Sequence, residues 1–368
     1  MNSLRRIGAV TGKELTQLSR DRVTFGMVVM IPLIQLLLFG FAINTVVRNI
    51  PIAVVDLSGN AAARIITEQV RVTQVVDIVA YYDTPAQAEA AIVAGKVRAA
   101  LVFPQNLMQR VTSGQPVGQW LVDGSDTMVG SALLALRTMP LLLGAGAPPG
   151  AYQMTGPSFE VALFFNPERR SAVNVVPGLT AIILTMTMIM FTSIALVRER
   201  EHGNLELLIT TPIHSLELMI GKLIPYVFVG LIQVTIILGL GHLVFQVPFQ
   251  GELASLAIVT LAFIAASLSL GLLISTIAQT QMQAMQMTFF LLIPSILLSG
   301  FMFPYEAMPV AAQYIAEALP ATHFIRLIRG VVLRGASASQ LLPDIFWLLT
   351  FTLIMLTIAT KRFRKSLD

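Results

Sequence analysis

Charges of both signs alternate in Arg198-Glu199-Arg200-Glu201, and His202-Gly203-Asn204-Leu205-Glu206-Leu207-Leu208-Ile209-Thr210-Thr211-Pro212 follows directly. The chemistry this run offers is recognition rather than bond-making. Gly203 permits a sharp backbone turn, Asn204 is a good helix N-cap, Glu206 suits the positive helix start, and Pro212 discourages continuation. The spacing predicts a short helix with Leu205, Leu208 and Ile209 on one face, just after the charge cluster. Such an amphipathic knob suits a groove on a partner protein. An ordinary loop helix at the membrane surface accounts for the same residues.

Other candidates for chemistry are few. Asp123 and Asp126 flank Gly124-Ser125, a turn signal, and read as solvated loop carboxylates. His202, His214, His242 and His323 include no i, i+4 pair of the kind that binds zinc on one helix. Cysteine is absent, which excludes disulfides and thiolate metal sites. No catalytic set, metal site or directly bound cofactor is expected.

Hydropathy sets the elements that must position the loop. Of 368 residues only 12% are charged, against roughly 25% in an ordinary soluble chain, and mean hydropathy is +0.76. Most of the chain is therefore expected in lipid. A formal charge of +4 does not point to nucleic acid, because the basic clusters at the two ends read as cytoplasmic flanks.

Residues 23–43 form an uncharged apolar run behind Arg5, Arg6, Lys13, Arg20 and Arg22, long enough to cross a core of roughly 30 Å. The run exceeds the roughly 7–15 residues of a signal-peptide core, and Phe41-Ala42-Ile43-Asn44 offers no small-x-small cleavage site. Apolar stretches at 174–197, 223–245, 253–278, 284–303 and 343–360 bring the total to about six spans. An even number puts both ends on one side. Arg198, Arg200, Lys222 and the tail Lys361-Arg362-Phe363-Arg364-Lys365 mark that side as cytoplasmic. Arg326, Arg329 and Arg334 break the rule, since they fall between spans five and six on the outer side. Either the rule is overridden there or the segment is re-entrant.

Residues 44–171 carry nine basic and nine acidic residues, a polar insertion about the size of one small domain. Residues 52–56, 75–82, 97–103 and 119–123 read as strands, alternating with helix-like stretches at 61–72 and 85–94, which favours an α/β fold. Thr84-Pro85 looks like a helix start, and Ala145-Gly146-Ala147-Pro148-Pro149-Gly150 reads as a linker back to the membrane. The topology places this domain outside.

Within the spans, Pro32, Pro177, Pro225 and Pro294 are expected to shape packing through kinks. Ser267, Gly271 and Ser275 recur every four residues on one face of the fourth span, a spacing that lets helix backbones approach closely, within or between subunits. Met186, Met188 and Met190 suit lipid-facing filler or a soft surface for amphipathic cargo.

Residues 197–212, continued by Ser215-Leu216-Glu217-Leu218-Met219-Ile220-Gly221-Lys222-Leu223-Ile224-Pro225-Tyr226, resemble the signature of type-2 ABC (ATP-binding cassette) exporter permeases. The family form is Arg-Glu-Arg-Glu, Gly-Thr, Leu-Glu and a closing Pro; Asn204 stands where Thr is usual and can still cap. A second block is similar to the same family: Leu298-Ser299-Gly300-Phe301-Met302-Phe303-Pro304, Met308-Pro309, Pro320, Arg329-Gly330 and Leu333-Arg334-Gly335. Asn166-Pro167-Glu168 before span two is similar too. With the layout of one span, an inserted domain and five further spans, the resemblance covers nearly the whole chain and is least specific in the domain.

The resemblance implies an α-helical polytopic membrane protein of about six transmembrane helices, with an extracytoplasmic α/β domain at residues 44–172. Residues 1–22 would form an amphipathic helix on the inner surface, and 199–212 a coupling helix seated in a separate ABC ATPase subunit. Arg198, Glu199, Arg200, Glu201, Gly203, Asn204, Leu205, Glu206, Leu208 and Pro212 would carry that contact. Residues 303–335 would hold short re-entrant helices near the outer exit, with Phe303, Pro304, Pro309, Pro320, Arg326, Arg329 and Gly330, and re-entry would accommodate the arginines. No Gly-x-x-x-x-Gly-Lys-Ser/Thr loop occurs; Gly95-Lys96 and Gly221-Lys222, for example, lack the upstream Gly and the following hydroxyl. ATP and Mg would therefore act through the partner. The remaining implied partners are a second permease copy or a sister permease and the lipid bilayer, with room for a periplasmic adaptor. The implied setting is the bacterial inner membrane with both termini cytoplasmic, and the cargo drugs or lipid-linked molecules.

The rival readings are an ion-coupled secondary transporter and a membrane-anchored receptor with an external binding domain. Between Lys222 and Arg326 the acids are Glu252, Glu306 and Glu317, all at predicted outer loops. Intramembrane carboxylates usually mark ion pathways, so their lack argues against the carrier. A receptor predicts no ATPase association.

Overall fold

Short apolar runs between residues 47 and 165 and long ones after residue 170 produce two architectures among the described residues. The computed structural model describes residues 47–141, 158–201 and 215–362. The expected helix at 1–22, the span at 23–43, the linker at 145–150 and the coupling residues Gly203, Asn204, Leu205, Glu206, Leu208 and Pro212 lie outside the described residues.

The first architecture is a mixed sheet covered on both faces. Its elements are β1 (Ile50–Asp56), α1 (Ala61–Val72), β2 (Val76–Tyr82), α2 (Pro85–Val93), β3 (Ala99–Phe103), α3 (Leu107–Thr112), β4 (Gly118–Asp123), α4 (Thr127–Ala135) and β5 (Phe159–Phe164). The strand order is β2-β1-β3-β4-β5. Pairing is antiparallel between β3 and β4 and parallel elsewhere. Central β3 is buried along its whole length, as a strand covered on both faces must be. Ile66, Val70, Leu107 and Leu133 pack with Trp120 and Phe159 on one face, and Ala88, Ala91 and Ile92 of α2 cover the other.

Local signals account for much of this domain. Thr84 caps α2 through a reciprocal box with Gln87, and Pro85 takes the first turn. The sequence reading missed α3, α4 and β5. β5 pairs with β4 across residues 124–158, so its partner is non-local and its own short pattern carries little signal.

The second architecture is a helical bundle: α5 (Ser171–Glu201), α6 (Ser215–Phe245), α7 (Leu253–Ile277), α8 (Gln281–Leu298), α9 (Val310–Glu317), α10 (Pro320–Val332) and α11 (Leu342–Arg362). Five helical segments among the described residues are long and apolar enough to cross a membrane, so the chain is a multi-pass membrane protein. Pro177, Pro225 and Pro294 lie inside α5, α6 and α8 without ending them.

Burial separates inner from outer helices. The apolar windows of α5 and α7 are 61% and 67% buried, whereas that of α6 is 11% buried. α6 turns Phe228, Ile232 and Ile236 outward, which in a bilayer is the lipid side. Leu184, Met188, Phe263, Phe324 and Ile328 form the bundle core. Met188 is therefore core packing, a correction to the lipid-facing reading of that methionine. On α7 the small-residue face lies against α5: a Cβ on Gly271 would sit 2.8 Å from the Ile189 carbonyl oxygen, and Ser267 and Ser275 are buried on the same side.

Candidate functional site

α10 is buried from Pro320 to Val332 except at Arg326. Phe324 and Ile328 fill the bundle core, while Arg329, and Arg334 just beyond the helix, meet the α/β domain. A buried guanidinium needs a partner, because desolvating an isolated charge is prohibitive. The α/β domain supplies the partners.

Arg98, one residue before β3, donates from Nε to Glu306 Oε1 at 2.8 Å and from Nη1 to Asp123 Oδ2 at 3.2 Å. Arg334 Nη1 donates to the same Asp123 oxygen at 3.4 Å. Arg329 Nη1 donates to the Gly300 carbonyl at 3.1 Å and lies 3.6 Å from Asp126 Oδ2. The other oxygen of Asp126 accepts from the backbone N–H groups of Met128 and Val129 and so caps α4. Three guanidinium groups and three carboxylates thus balance at the junction.

The reading of Asp123 and Asp126 as solvated loop carboxylates is overturned, since they are only 1% and 4% exposed. Turn chemistry was read correctly from Gly124-Ser125, but burial was decided by arginines more than 200 positions away. Burial alone would raise the Asp123 carboxyl; Arg334 and then Arg98 outweigh it and hold the group below its ordinary range. Glu306 is lowered in the same way, burial being outweighed by Arg98. Arg98 is held above its ordinary value because Glu306 and Asp123 overcome its burial. Burial prevails at Arg329 and Arg334, and both are held below theirs.

The segment between α8 and α11 is built from short pieces. Gly300, at φ +83°, turns the chain after α8, Pro304 leads into a single turn at Tyr305–Ala307, Pro309 precedes α9 and Pro320 opens α10. Helices of 8 and 13 residues reach only about 12 and 20 Å at 1.5 Å per residue, too short to cross. Phe303 packs on Leu298, Met308 and Ala316. Gly330 leaves room for Leu341, which a Cβ would meet at 3.1 Å. Arg326 forms two bonds to Glu317, at 2.5 and 3.2 Å, and stacks over Tyr305. His323 faces Asp344 at 2.6 Å through Nδ1 and stacks on Trp347.

The opposite end of the bundle holds the described part of the predicted coupling run. Arg198 and Arg200 occupy the last turn of α5, where cations complement the helix dipole. Arg200 Nη1 donates to the Ala278 carbonyl at 3.1 Å, and Glu201 accepts from the Gln281 backbone at 2.9 Å and from its side chain. These bonds tie the end of α5 to the turn between α7 and α8. Glu199 is half-buried beside them.

The structure gathers Arg326, Arg329, Gly330 and the three prolines into one segment and keeps Arg198 to Glu201 at the far end. Sequence reasoning missed Arg98, Asp123, Asp126 and Glu306 as partners. The usable signal was the trio of arginines in a predicted outer loop, which demanded counter-charge from elsewhere.

A bundle with five membrane-spanning-length helices among the described residues, joined at one end to an α/β domain with short helices at that junction, defines the class as a multi-pass membrane protein. The family model described as ABC-2 family transporter protein matches residues 22–361, and the chain belongs to that family. It is 28% identical to the probable multidrug ABC transporter permease YbhS of Escherichia coli K12, over 100% of this chain and 98% of that one. Identity to the probable multidrug ABC transporter permease YbhR of the same strain is 29%, over 96% of each. ABC transporter G family member 20 of Dictyostelium discoideum is 22% identical over 89% of this chain and 46% of its own length. No solved structure matches the chain.

Proposed function

We propose that this chain is the membrane-spanning permease subunit of an ATP-driven exporter, coupled through residues 198–212 to a separate ABC ATPase subunit that binds ATP and Mg. The observation that carries this reading is the course of α5. It runs unbroken from Ser171, beside the α/β domain, to Glu201, where the coupling run continues. Its 31 residues reach about 46 Å at 1.5 Å per residue, and it packs on α6, α7, α8 and α10. A displacement at the Glu201 end is therefore delivered to the junction as a shift of a rigid rod. Gly178 near its other end sits against Phe301, whose Cδ2 a Cβ would meet at 2.5 Å, so the rod bears on the turn that leads into the proposed exit segment.

The basic flanks put the Glu201 end and both termini in the cytoplasm of a bacterial inner membrane, and the α/β domain outside. Phe303, Pro304, Pro309, Pro320, Arg326, Arg329 and Gly330 then form the exit side. Two permeases work together, as identical or sister copies. The likeness to YbhS and YbhR, named as probable multidrug permeases, supports amphipathic or hydrophobic cargo such as drugs or lipid-linked molecules.

The test is the ATPase activity of the candidate nucleotide-binding subunit co-expressed with this chain, comparing wild type with Glu206→Lys and Leu205→Asp. Co-purification with uncoupled ATPase in both variants is the expected result. A subunit that never associates sinks the proposal.

A further inference from the structure

Between the α/β domain and the exit segment lies a cavity of about 210 Å³, far above the roughly 10–15 Å³ that one water needs. Arg98, Ser299, Glu306, Arg329 and Arg334 are among its lining residues. Arg329 Nε and Nη2, Arg334 Nε, Ser299 Oγ and Glu306 Oε2 have no hydrogen-bond partner among the described residues. Arg329 and Arg334 are only 4% and 5% exposed, so these are desolvated donors.

The carboxylates already in place do not satisfy them. Asp123 is shared between Arg98 and Arg334, and the Arg329–Asp126 separation of 3.6 Å is beyond hydrogen-bond reach. Asp126 and Asp344 also line the wall, but Asp126 is engaged by the start of α4 and Asp344 by His323. Arg326 and Asp344, also in the lining, are partly exposed.

We propose that this cavity binds a protonated tetrahedral oxyanion, a phosphate or a phosphomonoester group. The guanidinium N–H groups of Arg329 and Arg334 donate to its unprotonated oxygens, the contact for which arginine is best shaped. The P–OH group donates to Glu306 Oε2, an acceptor without a donor among the described residues. Sulfate carries no proton at neutral pH and would set its lone pairs against that carboxylate. A buried group left unpaired loses roughly tenfold in affinity or more. The same chemistry has two sources, inorganic phosphate from the outer solution or the headgroup of a lipid phosphomonoester.

The experiment uses the full chain in phosphatidylcholine nanodiscs, with calorimetric titration of inorganic phosphate and of sulfate at matched ionic strength. Phosphate is expected to bind at least about tenfold more tightly than sulfate. Glu306→Gln, which puts an amide donor in the acceptor's place, removes that preference, and Ser299→Ala weakens phosphate by a few-fold. In nanodiscs containing phosphatidic acid, a lipid ligand raises the unfolding temperature and blocks free phosphate; a soluble ligand leaves both unchanged. Equal binding of phosphate and sulfate, or binding of neither together with no effect of phosphatidic acid, overturns the assignment and leaves a water-filled cavity. The wild-type comparison decides the matter even if Glu306→Gln does not fold.

Discussion

The two ends of the bundle use the same residue types to opposite effect. At the junction, Arg98, Arg329 and Arg334 are matched in charge by Asp123, Asp126 and Glu306, with Arg329, Arg334, Asp123 and Asp126 all buried. At the other end, Arg198, Arg200 and Glu201 are exposed and tied to α7 and α8 by a few bonds at the surface. A buried ion pair is weak evidence for stability, yet removing one member is severe because the other is left charged and dry. An exposed pair is worth little and is easily exchanged. The junction is thus built to keep the α/β domain seated on α10, whereas the contacts at the far end are open to exchange.

Acid should break this contrast most completely, because it removes two junction carboxylates at once. Asp123 and Glu306 are held below their ordinary values of 3.8 and 4.5. Their contribution is complete above those values and is lost as pH falls through the lowered folded ones. Thermal unfolding in detergent should be flat near neutrality and fall steeply only below about pH 4; a decline already under way at pH 6 would refute it. Next in size, Asp123→Asn leaves Arg334 without its carboxylate and Arg98 with Glu306 alone, and should lose about 3–5 kcal/mol. Combining it with Arg334→Met should recover part of that loss, which a double-mutant cycle measures.

A smaller effect is expected between the ends. Gly271→Val forces α7 away from the Ile189 backbone and should destabilise by about 1–3 kcal/mol, read from the unfolding midpoint. Smallest of all, Glu201→Gln at the exposed end should shift stability by less than about 0.5 kcal/mol. A loss as large as that of Asp123→Asn would erase the distinction drawn between the two ends.

Much of the architecture was legible locally. The α1 range, the capped start of α2 and four strands within one or two residues of their observed positions follow from periodicity and turn chemistry. The long apolar helices follow from length and hydropathy. β5 was not legible, because its pairing partner lies far back in the chain. The site divided in the same way. Arg326, Arg329 and Gly330 stood out by motif and by a charge that did not fit the topology, whereas Arg98 and Glu306 look like ordinary surface residues until the fold brings them to 2.8 Å.

By itself the sequence determined that the chain crosses the membrane several times, where its polar domain is inserted and which loop carries the family signature, since each depends on composition or spacing over a few turns. Only the tertiary structure decided which charges are buried, which carboxylate each arginine meets and where a polar cavity remains. Those outcomes depend on desolvation and on contacts between residues more than 200 positions apart, and no local pattern encodes them.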